Sequence, residues 1–216
     1  MKNKLKLLLT TAVMTLSVIT PAQAVDTATN YKSVEDAIKV LKVSPESRAG
    51  YVRSKFKHWS DLDKNGCNTR NDVIIAEAKI KPTVEKGCKI VGGSWYSAYD
   101  GLTVDKFSAL DVDHMVPLAE AWDSGASTWS TDRRQIYAND MGDPVSLIAV
   151  TAATNRSKSD QDPSEWLPAK DVCTYIYSWV RVKVRWSLTV DDKELKAIKD
   201  SSAKCPKSKI SVVIFK

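Results

Sequence analysis

The stretch Asp111-Val112-Asp113-His114-Met115-Val116-Pro117-Leu118 decides how the chain is read. Phe107 to Val112 is strand-like and runs into Asp113-His114, and Pro117 then stops the strand because it has no N–H to offer a ladder. His114 is one of 2 histidines in 216 residues. About forty residues later comes Asn155-Arg156-Ser157-Lys158-Ser159-Asp160. Between the two, Leu118 to Trp122 reads as a helix ended near Gly125. Ser130-Thr131-Asp132-Arg133 opens another, which carries Arg133 and Arg134 to about Asp140. Gly142-Asp143-Pro144 is a turn, Val145 to Val150 a second buried strand, and Thr151 to Asp160 a helix closed by Asp162-Pro163. The order is strand, insertion, strand, helix.

That order brings a particular set of side chains toward one place. Hydrolysing a phosphodiester needs a base for water, a hard cation against developing negative charge, and cations that hold the backbone in line. A neutral imidazole is a natural base, since its ordinary pKa lies near working pH. One carboxylate and one amide oxygen suit Mg²⁺ or Mn²⁺ rather than zinc. Asp113, His114, Asn155 and Lys158 supply that set, and in a helix Asn155 and Lys158 share a face. Each also has a structural reading: a histidine closing a strand end, a turn aspartate, a capping asparagine, a surface lysine. Asp111 alternates with Asp113 and is a rival metal ligand.

At these residues the sequence resembles the HNH nuclease superfamily and its ββα-metal fold. Residues from about 58 to 186 resemble the secreted HNH-type proteins of the DUF1524 group. The marks are Trp59 with Gly66-Cys67 and Thr69-Arg70, the Trp122-to-Gly125 stretch, Tyr137-Ala138-Asn139-Asp140, and Asp162-Pro163 with Glu165-Trp166-Leu167-Pro168. The resemblance implies roles one residue at a time. His114 matches the general base, Asp113 a metal ligand, Asn155 the second ligand, and Lys158 a basic residue near the scissile phosphate. It also implies a nucleic-acid substrate, DNA or RNA. The position that usually holds a base-orienting asparagine is Ser146 here, with Asn139 as another candidate orienter. Arg133, Arg134 and Arg156 are candidate backbone contacts.

The rest of the chain frames this core. Lys2, Lys4 and Lys6, an apolar run from Leu7 to Ile19 and Pro21-Ala22-Gln23-Ala24 read as a signal peptide over residues 1–24, removed on export to the periplasm or outside. Lys and Arg number 32 against 26 Asp and Glu. Three of the lysines belong to the leader, so the mature chain carries a net charge of only about +3. Nucleic-acid binding must then rest on a local patch. Four cysteines in an exported chain read as two disulfides, with Cys67–Cys88 and Cys173–Cys205 favoured because each brackets a compact segment.

Ser33 caps a helix with Val34, Ala37, Ile38 and Leu41 on one face. Pro45 is expected to start a second, with Tyr51, Val52 and Phe56 inward and Arg48, Arg53, Lys55 and Lys57 outward, a basic face that is either solvated or in contact with a nucleic-acid backbone. Asp61 to Asp72 places oxygen side chains at the spacing of an EF-hand loop: Asp61, Asp63, Asn65 and Asp72 are candidate ligands of a structural Ca²⁺. His58 is read as a packing or hydrogen-bonding residue, and Trp95, Tyr96 and Tyr99 as core or hairpin residues that could also stack on bases. Val172 to Trp186 and Asp191 to Ala203 are helices, and Ile210 to Phe215 an edge strand.

The expected architecture is therefore α+β: a ββα-metal core at about residues 105–165, embedded in a mostly helical, disulfide-bonded, monomeric domain over 25–216. The expected activity is a secreted endonuclease without a base-reading module. The alternative is a catalytically silent, calcium-binding extracellular interaction protein on the same scaffold. A toxin-like nuclease that needs an inhibitor partner is a third and weaker option.

Overall fold

The computed structural model describes residues 28–216, and the expected leader over residues 1–24 lies outside them. The strands are β1 (Ala28–Tyr31), β2 (Thr83–Glu85), β3 (Lys89–Val91), β4 (Trp95–Tyr96), β5 (Thr103–Val104), β6 (Leu110–His114), β7 (Leu147–Thr151) and β8 (Ile210–Val213). The helices are α1 (Val34–Ile38), α2 (Thr69–Glu77), α3 (Leu118–Asp123), α4 (Thr131–Ala138), α5 (Ala152–Lys158), α6 (Val172–Trp186) and α7 (Asp192–Ser202). Strands pair only in twos and always antiparallel: β1 with β8, β2 with β3, β4 with β5, β6 with β7.

Local chemistry sets most of these boundaries. Ser33, Asn68, Ser130 and Asp191 each accept a hydrogen bond from the backbone N–H three residues on, opening α1, α2, α4 and α7. The edge strand expected at the C-terminus is β8, and it finds a partner, β1, that its own sequence did not announce. Both favoured disulfides form, Cys67–Cys88 and Cys173–Cys205. Each closes its loop at a gain of about 3 kcal/mol.

The β6–β7 hairpin is the centre of the molecule. Its register pairs Val112 with Ala149, Asp113 with Ile148 and His114 with Leu147. Because side chains alternate across a strand, Leu110, Val112 and His114 share one face and Asp111 and Asp113 the other. The first face packs on α2 and β3, burying Val73, Ile74, Ile90, Trp95, Leu147 and Ala149 in one apolar cluster. The second lies under α5. A larger core surrounds α6, where Ile176, Trp179, Val180 and Trp186 are fully buried. The open edge of β7 is closed by side chains: Glu77 accepts from the Ala149 N–H at 2.8 Å and Ser97 Oγ from that of Thr151 at 3.1 Å. That leaves fewer edge donors for a stray strand.

One expected element does not form. No α-helix follows Pro45; residues 44–58 are an extended strap with a single 3₁₀ turn, Arg53–Lys55. Its backbone makes isolated turn bonds, Tyr51 N–H to Arg48 O and Phe56 N–H to Arg53 O. Gly50 takes a positive φ of 73° in the middle of it. Val52, expected inward, is exposed. Phe56 alone is fully buried, wedged against Trp122 and Tyr137. One anchor without a helical stripe gives a strap and not a helix.

Candidate active site

The end of β6, the start of α3 and the end of α5 enclose a cleft of about 280 Å³. Asp113, His114 and Asn155, about forty residues apart in sequence, all line it, together with Arg53, Arg156 and Asp160. Strand β6 delivers the first two, and the tight β7–α5 junction swings Asn155 over the same hairpin end. Thr151, whose own N–H goes to Ser97 Oγ, begins that junction.

His114 is 5 % exposed. Its ring stacks on Trp59 at 5.1 Å, and Nε2 lies 3.0 Å from the Ala138 carbonyl. A carbonyl only accepts, so that contact assigns the proton to Nε2 and leaves the Nδ1 lone pair as the ring's proton acceptor. Burial pushes the imidazole pKa down to about 3, partly offset by the Ala138 bond, so the ring is neutral at neutral pH. The orienting groups are thus a backbone carbonyl and an indole. Ser146, expected to orient the base, instead donates to Asp140 Oδ2 at 2.8 Å. Asp140 there also receives Arg185 and Trp186. Asn139 ties α4 to the preceding loop through Ser60 N–H, Thr69 Oγ1 and Lys57 O, and has no bond to His114. His58 Nδ1 donates to the Phe56 carbonyl, and the ring sits edge-on to Trp59.

Lys158 departs furthest from its expected place. It is 0 % exposed and cannot present its ammonium to a phosphate in solution. Nζ donates to Asp113 Oδ1 at 3.0 Å and to the His114 carbonyl at 3.1 Å, and lies 2.8 Å from Asp113 Oδ2. Tyr99 OH donates to the same Oδ2 at 2.7 Å. Burial raises the pKa of Asp113 and lowers that of Lys158, and each charge partly restores the other. Lys158 therefore positions the Asp113–His114 corner from behind. Tyr99 is a site residue that the sequence reading left in the core; its only signal was an aromatic among turns.

On the face with Asp113, Asp111 is partly exposed, 3.5 Å from Asn155 Nδ2 and 3.6 Å from Arg156 Nε. Among the described residues no donor reaches Asn155 Oδ1. This donor set, a partly exposed carboxylate, a shared buried carboxylate and an unengaged amide oxygen, fits a hydrated hard cation such as Mg²⁺ or Mn²⁺. An all-oxygen set of this kind is typical of such hard cations, whereas zinc sites are usually built on His nitrogen or Cys sulfur. Of the three arginines expected at a nucleic-acid backbone, Arg133, Arg134 and Arg156, only Arg156 lines the cleft. Arg133 is stacked among Trp129, Trp186 and Phe215, and Arg134 donates to the Trp129 and Ala126 carbonyls, so both are engaged in packing away from the cleft. Arg53, read as part of a basic helix face, lines the cleft instead.

The Asp61–Asp72 loop closes on its own hydrogen bonds. Asp61 accepts from the Asn65 and Gly66 N–H groups, and the Asn65 amide donates to Asp63 and Asp72. Among the described residues, the groups of three acidic, His or Cys side chains close enough to share an ion lie elsewhere, at Glu46, Glu120 and Glu194 and at Glu46, Asp162 and Asp191. Residues 56–60, which enter the loop, are not helical, whereas α2 leaves it, so half of an EF-hand frame is present.

Comparison with known sequences places these residues in a family. The C-terminal domain of the GmrSD restriction endonucleases matches residues 67–200, a span that holds β6, β7, α5 and every cleft residue except Arg53. An uncharacterized secreted protein of Arthroderma benhamiae is 37% identical over 190 residues, covering 87% of this chain and 92% of its own length. No solved structure matches. On the extent of both matches, this chain belongs to the family of the GmrSD restriction endonuclease C-terminal domain.

Proposed function

We propose that the protein is an exported, metal-dependent nuclease that hydrolyses phosphodiester bonds of DNA, and of RNA, with His114 as general base. The observation that carries this reading is the state of His114: neutral, with Nε2 held by a carbonyl and Nδ1 left over, on the wall of a cleft shared with Asp113 and Asn155. A structural histidine buried for packing needs no such cleft. The relative's secreted nature, the two disulfides and the absence among the described residues of a helix long and apolar enough to cross a membrane support export.

In this reading the Ala138 carbonyl and Trp59 fix the ring before substrate arrives. The phosphate brings negative charge beside the imidazole and raises its proton affinity from the depressed resting value. His114 Nδ1 takes a proton from a water as the water oxygen bonds to phosphorus. The opposite P–O bond breaks, and the leaving oxygen takes a proton from solvent. Lys158 and Tyr99 hold the Asp113 carboxylate still, and Asn155 lines the same cleft with its amide nitrogen near Asp111. A divalent cation held by Asp113 and Asn155, with Asp111 beside them, would supply charge neutralisation at the phosphate and the leaving oxygen. Arg156 steadies the backbone. No module reads bases, so cleavage is expected to show little sequence preference.

The test is plasmid nicking by the purified mature chain across Mg²⁺, Mn²⁺ and Ca²⁺. Chelator should abolish nicking and Mg²⁺ or Mn²⁺ restore it. His114→Ala should lose roughly 10²–10⁴-fold in rate. Undiminished cleavage by a folded His114→Ala would remove the base and with it this mechanism.

A further inference from the structure

We infer that Arg53 is the cation that grips the reacting phosphate in the cleft, the task for which Lys158 is too deeply buried; the inference rests on the nuclease reading above. Any such cleft needs a cation that can meet a phosphate oxygen directly. With Lys158 closed off by Asp113 and the His114 carbonyl, two cations remain along the wall, Arg53 and Arg156. Arg156 is drawn to Asp111 at 3.6 Å. Among the described residues Arg53 has no carboxylate within ion-pair distance.

The strap explains why Arg53 and not a neighbour fills this place. Arg48 is bound to Asp123 at 2.6 Å and to Asp160 at 3.3 Å. Lys55 donates to the Gly50 carbonyl at 2.7 Å and lies over the Trp122 ring. Arg53 stands between them at the head of the 3₁₀ turn that closes onto Phe56. That turn is pinned from below, because Phe56 is fully buried and Trp122 Nε1 donates to the Ala49 carbonyl at 3.1 Å. The pinned turn fixes the backbone from which the guanidinium reaches, so only the side chain is left for the substrate to order. Its charge is already felt at both Asp113 and His114, where it favours the carboxylate and the neutral ring. Its planar fork can hold two phosphate oxygens at once, which an ammonium cannot.

The experiment uses the mature chain as wild type, Arg53→Ala and Arg53→Lys. Cleavage kinetics are measured on plasmid with Mn²⁺, and binding of a fluorescent single-stranded 20-mer is measured in chelator over a series of salt concentrations. Arg53 is exposed, and equal melting temperatures will show that the variants fold. Arg53→Ala should lower kcat/KM by about 10–100-fold and reduce the slope of log Kd against log salt by about one. Arg53→Lys should restore the slope but only part of the rate. An Arg53→Ala protein within threefold of wild type in cleavage, with an unchanged slope, overturns the inference while leaving the nuclease reading intact. A wild type that cleaves nothing under any metal, yet binds the 20-mer with an Arg53-dependent slope, sinks the nuclease reading and with it the reacting phosphate, leaving Arg53 as a contact to a bound phosphate only. A wild type that neither cleaves nor binds sinks both.

Discussion

Two fully buried lysines lie near one indole, Lys158 at 5.8 Å and Lys183 at 5.6 Å from the Trp179 ring, and they are compensated in opposite ways. Lys183 meets two carboxylates, Glu120 at 2.6 Å and Glu194 at 2.9 Å, and also reaches Ser124 Oγ and the Thr189 carbonyl. Burial works against its charge, but the two glutamates outweigh it and raise its pKa. Lys158 meets one carboxylate, Asp113, and burial prevails, lowering its pKa. The first arrangement is a knot that joins α3, α6 and α7. The second is a poorly compensated pair at the floor of the cleft, where a change in nearby charge can shift it. The structural ion cluster sets two carboxylates against one cation; the candidate site sets one against one.

The comparison predicts a clear order of mutational cost. Lys183→Met leaves two buried carboxylates without their cation and should cost about 3–5 kcal/mol in urea unfolding. Lys158→Met leaves one carboxylate, already biased toward its protonated form and still bonded to Tyr99, and should cost about 1–3 kcal/mol. Equal costs would erase the distinction between knot and site.

Acid should separate the two regions next. His114 has a folded pKa near 3 against 6.5 unfolded. Between those values the unfolded chain binds the proton and the folded one does not, so His114 contributes stability above pH 6.5 that is lost as pH falls toward 3. Melting curves from pH 7 to pH 4 should show a His114-dependent loss on the order of 2 kcal/mol, absent in His114→Gln. An unchanged pH slope in that variant would mean that the imidazole is not held neutral.

The smallest effect is expected from Tyr99→Phe, which removes one hydrogen bond to Asp113 and should cost about 1 kcal/mol by thermal melting. Its cleavage rate should fall by more than its stability does, since Asp113 is the group it steadies. Loss of stability without loss of rate would place Tyr99 in the core alone.

Much of the fold could be read along the chain. The caps at Ser33 and Ser130, the runs from Val172 to Trp186 and from Asp191 to Ala203 and the order strand, insertion, strand, helix are all local patterns. Cysteine spacing pointed to both disulfides. The failures share a cause. The Pro45 segment had apolar residues but no stripe, and one buried Phe56 with Gly50 turning beside it made a strap. Ser146, Asn139, Arg133 and Arg134 were polar residues whose partners lie in other elements, so their duties could not be seen from their neighbours. Tyr99 and Arg53 were read only as members of a group, a core aromatic and one cation of a basic face, because their places at the cleft depend on other elements.

The sequence alone determined that Asp113, His114 and Asn155 would belong to a strand end and a helix of one hairpin unit, because alternation, turns and caps act over a few residues. Only the tertiary structure decided which of the charged side chains face the cleft. Burial of Lys158 against Asp113, and delivery of Arg53 by a strap anchored at Phe56, depend on contacts across distant parts of the chain. There the cost of desolvating a charge, and not any local preference, selects the partner.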